Sequence, residues 1–452
     1  MDAMVWIVGA VLLVWGAVVF VRGGLLGGCL LVLLSGCAFG PPLLKLPTQP
    51  IPLTVDRVLW VLLVAQYALW RRLGLAAPKP PGREDLAGLL FLGFLAASTL
   101  THDWQAHNHL ALSRLLFYYV MPAGLYWVAR QSPLSPGAVR SVWFCLAAFG
   151  VYLSATAICE VCGAWWLVEP GYIAAEGEFF GRARGPLLNP AGNGIFMAAG
   201  LSALLLAWPW ARRAGRLPLA ALLGLYLAGL GATLTRSVWL GAGLCLCVLA
   251  APAVPRRWRL PALATALVAV SVLLAAHLDA LVAFKRDQGL SAQATADSVR
   301  LRPILARVAW NMFLDRPLVG CGFGQYSDQC VDYLHDRSTD LPLGTARHYV
   351  QHNVWLALLT ETGLVGAGLF SILLWLWTAN AWRLWHSGAA PPWARRQGLL
   401  WLALLGMYLP CAMFQDASLI PMVNMLLFFV AGVTMGLARQ AWPEVAEVRP
   451  PP

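Results

Sequence analysis

The chain predicts an all-α fold, a polytopic transmembrane helical bundle of twelve or thirteen spans with one long outer loop. Three observations carry this. Of 452 residues, 59% are hydrophobic and only 12% charged, whereas a soluble domain is about 45–50% apolar and about 25% charged. The excess falls in runs of roughly 17–22 residues, the length at which a helix crosses a bilayer. Twenty-two Trp and eleven Tyr suit the aromatic belts at membrane interfaces.

Spans are placed near residues 4–21, 23–40, 55–70, 84–101, 113–130, 139–160, 190–209, 217–235, 236–252, 260–279, 352–382, 397–415 and 418–438. The basic clusters then fall in alternate connections: Arg22, Arg71 to Arg83, Arg130 and Arg140, Arg212 to Arg216, Arg256 to Arg259, Arg383 to Arg396, and Arg439 with Arg449. Eighteen of the 32 Lys and Arg lie on that side, with only four of the 21 acids. By the positive-inside rule that side is cytoplasmic. Topology therefore explains the net charge of +11, and no nucleic-acid face is needed. The expected location is a bacterial inner membrane, with the N-terminus outside. The first hairpin is the weakest part, since only Arg22-Gly23-Gly24 separates two apolar runs. The first run lacks a basic start and a small-residue cleavage site, so it reads as an anchor rather than a secretion signal.

Three regions are expected: an N-terminal transmembrane part (1–160), a catalytic membrane domain (161–438) and a disordered cytoplasmic tail (439–452). The long outer loop runs over 281–351. A loop of about seventy residues in a tight membrane protein is functional or disordered. Trp310, Phe313, Phe323 and Tyr326 favour an ordered lid. A second outer loop, 162–188, carries Trp165, Trp166, Arg182 and Arg184.

No cofactor or metal pattern emerges. Cys159-x-x-Cys162 has no second pair. Cys321 and Cys330, both on the outer side, either pair there or remain buried thiols. In His348-Tyr-Val-Gln-His352 the place of a metalloprotease glutamate is taken by Tyr349. His102, Asp103, His107 and His109 read as a polar interfacial loop rather than a metal site. The run Gly320 to Gly324 lacks Lys-Ser/Thr and follows no strand, so it is no nucleotide loop.

Ionisable residues at span ends are expensive and invite functional readings. Four outer features stand out. The first is Arg182-Ala-Arg184-Gly185 before Asn189-Pro190-Ala191-Gly192-Asn193. The second is Thr235-Arg236-Ser237-Val238-Trp239-Leu240-Gly241 between two spans. The third is Arg300-Leu301-Arg302, fifteen residues before Pro317-Leu318-Val319-Gly320-Cys321-Gly322-Phe323-Gly324. The fourth is His352-Asn353 heading a span that continues into Glu361-Thr362-Gly363-Leu364-Val365-Gly366. In this order they resemble the signature of the O-antigen ligase and polymerase superfamily, over roughly residues 180–375; the N-terminal spans resemble it only in hydropathy. The resemblance implies a glycosyltransferase C-type fold, no metal, and a glycan donor on a polyprenyl diphosphate. The family's acceptors are the lipid A core, a growing polysaccharide or a protein.

Residue chemistry agrees. A leaving diphosphate needs charge neutralisation, and arginine binds phosphate oxygens bidentately while staying charged. Arg236 and Arg302 match the family positions; Arg300 and Arg184 are possible helpers. An acceptor hydroxyl benefits from a general base, worth ~10²–10⁴ in rate, and His352 is the candidate because neutral imidazole is available near pH 7. Asn353, Gly322 and Gly324 are expected to support the site. Glu361, about 180° around a helix from His352 and ~13 Å deeper, is expected as the buried partner of an arginine on another span. The reading is an inverting, metal-independent transferase acting at the outer face, as an O-antigen ligase. A repeat-unit polymerase or protein O-oligosaccharyltransferase fits equally. A transporter or flippase of lipid-linked sugars is more distant, because Gly/Pro-broken spans in matching halves are missing. A scaffold without activity is the remaining class.

Overall fold

The computed structural model describes residues 16–18, 22–39, 54–175, 179–210, 216–255, 292–335, 341–347 and 349–441, together with residues 257, 258, 261, 264, 265, 268 and 339. Within these the secondary structure is helical, with no strand. Helices are labelled α1 (Gly24–Ala38), α2 (Val55–Arg72), α3 (Arg83–Leu100), α4 (Ala106–Arg114), α5 (Met121–Gln131), α6 (Pro136–Val161), α7 (Pro190–Ala207), α8 (Arg216–Ala232), α9 (Arg236–Ala250), α10 (Ala292–Asp315), α11 (Val354–His386), α12 (Pro392–Phe414) and α13 (Pro421–Ala441). A π-turn, Leu115–Val120, joins α4 to α5.

Among the described residues, six segments are long and apolar enough to cross a membrane: α6, α7, Arg236–Ala253, α11, α12 and Pro421–Gln440. The apolar helices α1 and Leu217–Ala232 are shorter. Helices α2 and α3 carry charges at their ends, Asp56, Arg57, Arg71 and Arg72 in one and Arg83, Glu84 and Asp85 in the other. The fold is that of an all-α, multi-pass membrane protein. The expected spans near 4–21 and 260–279 lie almost wholly outside the described residues, as does the tail beyond Ala441.

Helix α7 is the buried centre, with almost every residue from Pro190 to Leu206 inaccessible. Its small residues permit this. A Cβ at Gly194 would stand 2.5 Å from Val238, and one at Gly200 2.7 Å from the Leu146 carbonyl, so neighbouring helices approach to backbone contact. Caps follow sequence rules. Asn189 accepts from the Ala191 and Gly192 amides, and Asn353 from the Trp355 and Leu356 amides, each satisfying N–H groups that a helix start leaves open.

Three of the basic residues expected on one side, Lys79, Arg130 and Arg439, lie together at one end of the bundle. Arg130 pairs with Asp85 at 2.7 Å, Arg439 reaches Glu84 at 3.4 Å, and Lys79 Nζ donates to the Arg130 and Ser132 carbonyls. At the opposite end of α3 lies the long loop. There Phe323 N donates to Ser98 Oγ (3.0 Å) and Gln325 Nε2 to the Asp103 carbonyl (2.9 Å). The loop has its own core, including Ile304, Leu305, Val308, Met312, Tyr326 and Leu343, so α10 and the segment after it form an ordered layer on this end. Cys321 and Cys330 are buried there as free thiols.

Candidate functional site

The loop end is organised by an interlock between the two glycine-rich motifs. Helix α11 breaks its regular geometry at Gly363 (φ 61°, ψ −163°), a conformation that favours a residue without Cβ. Into the opened turn runs the chain from Pro317 to Gly322. Cys321 N donates to the Thr360 carbonyl (2.8 Å), Gly322 N to Glu361 (3.1 Å), Leu364 N to Pro317 (2.8 Å) and Val365 N to Leu318 (3.1 Å). The amides and carbonyls released by the break thus find partners inside the protein, the condition for irregular backbone within a membrane bundle. A Cβ at Gly320 would meet the Glu361 backbone, and one at Gly363 the Leu318 backbone. Gly322 (φ 107°) lies on the His102 ring and Gly324 (φ 78°) on Ala111. His102 itself is held by Nδ1 to the Ser98 carbonyl at 2.8 Å.

Below the interlock lies a buried charge cluster. Glu361 Oε1 accepts from Arg114 Nη1 at 2.7 Å, with side-chain exposures of 4% and 12%. Arg114 also stands over the Phe323 ring, 4.9 Å from its centroid. Asp416, in the connection between α12 and α13, is buried and accepts from Ser418 Oγ at 2.5 Å. Burial is the largest influence on its carboxyl and raises its pKa to about 6, against the opposing pull of the Ser418 hydrogen bond and the Arg114 charge. Glu361 was expected to pair with an arginine of another helix; the partner, Arg114, was not identified from sequence. Neither was Asp416. Their only sequence signal is a charge at the end of an apolar run.

His352 sits just before α11. It was expected to head the helix, but the structure gives the cap to Asn353, whose side chain is better suited to accept from the first amides. His352 therefore projects from a bend rather than from a helical face, and its angular relation to Glu361 is not that of two residues on one helix. Its ring is exposed at the surface. Enough protein still surrounds it for desolvation, first, and the Arg302 charge, second, to lower its pKa below 6.5. The expected base and one expected diphosphate ligand, fifty residues apart in sequence, are thus within electrostatic reach.

Arg236 is the first residue of α9. Its neighbour Ser237 interacts with Cys411 of α12, and Asn353 Nδ2 donates to the Met413 carbonyl two residues further on (2.9 Å). Arg236 and His352 are each one residue away from a group that binds the last turn of α12. The Thr233–Thr235 turn before Arg236 is held by Arg182, whose Nη2 donates to Thr235 Oγ1 (2.6 Å) and Nε to the Thr233 carbonyl (3.3 Å).

Arg184 is placed differently from its sequence reading. Its side chain is fully buried, 3.7 Å from Glu160, and donates to the Ile173 carbonyl at 2.7 Å. The Glu160 carboxylate also accepts from the Arg184 and Gly185 amides. This arginine neutralises a buried acid and fixes the second loop; it does not line a surface open to a lipid diphosphate. Arg300 precedes Arg302 by two positions on α10, ~200° around a helix, so the two do not share a face; the Arg300 side chain lies outside the described residues.

Residues 219–371 match the family model described as O-Antigen ligase. The matched segment spans Arg236, Arg302, the interlocked glycines, His352 and Glu361. This match, over about a third of the chain, supports the O-antigen ligase superfamily, whose members are glycosyltransferase- or ligase-type enzymes that use a lipid-linked glycan donor and a glycan acceptor. No curated protein matches the chain.

Proposed function

We propose that this protein transfers a glycan from a polyprenyl diphosphate carrier to an acceptor hydroxyl at the outer face of a bacterial inner membrane, as an O-antigen ligase. The observation that carries the reading is the match of residues 219–371, a segment that contains Arg236, Arg302 and His352, to the O-Antigen ligase family model. A base and a phosphate-binding cation must stand on either side of one anomeric carbon, and the Arg302 charge, after burial, lowers the His352 pKa, which supports the pairing.

His352 takes the proton of the acceptor hydroxyl as its oxygen attacks the anomeric carbon. The bond to the diphosphate oxygen breaks on the opposite side, so the anomeric configuration inverts. Arg302 and Arg236 balance the charge that develops on the departing diphosphate. A diphosphate leaves without a proton, so no acid and no metal is required. The lowered pKa of His352 suits the role, because the free imidazole persists below pH 6.5. Asn353 fixes the start of α11 and thereby the bend that carries His352. The interlocked Gly320 to Gly324 run holds the loop layer over the bundle. Arg184 stays outside this set.

The test is turnover. Purified protein in detergent, given a polyprenyl-diphosphate glycan and a lipid A core acceptor, should release polyprenyl diphosphate and extend the acceptor in the presence of chelator. Donor consumption only with a second donor glycan as acceptor would instead identify a polymerase. No donor consumption with any hydroxyl acceptor would overturn the reading.

A further inference from the structure

A large cleft lies away from this site, at the opposite end of α3. It has a volume of about 1680 Å³ and opens sideways between α2, α3, α5, α11 and α13. Its wall is overwhelmingly apolar, with Trp60, Leu92, Trp377 and Phe428 among the lining residues. An apolar cleft on a membrane protein meets acyl chains as a matter of course; its polar end is what selects among lipids.

At that end Arg83 and Arg383 line the cleft and are exposed. Neither has an ion pair or hydrogen-bonding side-chain partner among the described residues. The acids beside them are already committed. Glu84 faces Arg130 and Arg439, and Asp85 accepts from Arg130, Tyr126 and the Gly82 amide. The polar end therefore presents two uncommitted cations and no uncommitted carboxylate among these groups. A second, independent observation points the same way. Trp377, 1% exposed, lines the cleft, and its indole Nε1–H has no acceptor among the described residues. A buried donor left without an acceptor is costly, and an ester carbonyl at the head of an acyl chain would supply one.

We propose that this cleft holds one anionic glycerophospholipid, with its phosphate between Arg83 and Arg383 and its acyl chains along the Trp60, Leu92 and Phe428 wall. Positive charge at this end matches the anionic leaflet on the cytoplasmic side, the side to which the basic clusters assign it. The site is distinct from the donor site, because α3 separates them by its whole length, ~27 Å for eighteen residues.

The test is native mass spectrometry of the full-length protein released from nanodiscs of equal phosphatidylglycerol and phosphatidylcholine. The expected result is a single retained phosphatidylglycerol, favoured about thirtyfold over phosphatidylcholine, the ratio that two surface cations at ~1 kcal/mol each give. Arg83→Ala with Arg383→Ala should abolish the preference, whereas Arg83→Lys with Arg383→Lys should keep it. Both side chains are exposed, so the variants are expected to fold; unchanged melting temperature confirms it. Equal retention of both lipids by the parent would overturn the proposal. So would unchanged preference in the alanine variant, or a cleft filled in a dimer by a second copy and free of lipid.

Discussion

Arg114 and Glu361 are 247 positions apart in sequence and 2.7 Å apart in space. One ends α4 immediately before the π-turn; the other lies in the opened turn of α11. Removing one member of such a pair strands the other charge, at a cost of ~3–5 kcal/mol. Glu361→Gln and Arg114→Met should each lower the melting temperature in detergent. The double variant should recover part of the loss. Additive losses in that double-mutant cycle would show that the pair is not coupled.

His352→Gln should lose nearly all transfer, because an amide keeps hydrogen bonding but cannot take the proton. In the parent, the rate should fall as pH drops through the His352 pKa. Burial and Arg302 place that pKa below 6.5, so the acid limb should lie below pH 6.5. The sign is fixed: a lowered pKa keeps the ring neutral, and basic, to lower pH. Replacing Arg302 by Gln should move the imidazole titration upward, measured by NMR of labelled histidine. A titration left in place would mean that the two groups are not coupled.

Arg236→Lys and Arg302→Lys should each reduce donor turnover roughly tenfold to a hundredfold, as expected for a lost charge-assisted bidentate contact. Arg184→Met should behave otherwise. It leaves Glu160 buried without its cation, so stability should drop while donor affinity of the folded fraction stays close to the parent. Lipid-donor binding to the purified variants separates these outcomes.

Gly320→Ala and Gly363→Ala should each destabilise by ~1–3 kcal/mol, since both positions combine positive φ with backbone contact where a Cβ would stand. Gly74→Ala, with φ 71° but nothing near its Cβ position, should cost less. Chemical unfolding in mixed micelles measures the difference.

Topology has its own check. A cysteine-free variant carrying His335→Cys should react with an impermeant thiol reagent in intact cells. A cysteine placed among residues 393–396 should react only after permeabilisation. Labelling of residue 335 only after permeabilisation would reverse the orientation assigned by charge.

Much of this was legible in the sequence because it was local. Apolar runs gave the helices, and alternate basic clusters gave an end of the bundle where Arg130, Lys79 and Arg439 do meet. Motif spacing singled out Arg236, Arg302 and His352. What stayed hidden was pairing over long distances. Arg114 and Asp416 carry no motif, and only folding brings them beside Glu361. Arg184 was read as a possible helper of Arg236 for the opposite reason. Both are arginines at an apparent outer boundary, and the difference lies in Glu160, contributed by α6. The two glycine motifs were each visible, but not that one threads the other.

That threading also sets the register of the long loop against α11. From Pro317 to Gly322 the chain is stitched, amide by carbonyl, to a break in a helix. With bare glycines on both sides of the seam, the chain has only one alignment there. The neighbouring alignment would drive a side chain into backbone. The seam therefore sets where the layer lies on the bundle, with His352 two residues before α11's first residue. Lengthening the chain by one residue between Arg316 and Gly320 would leave every helix intact and still unfasten the layer.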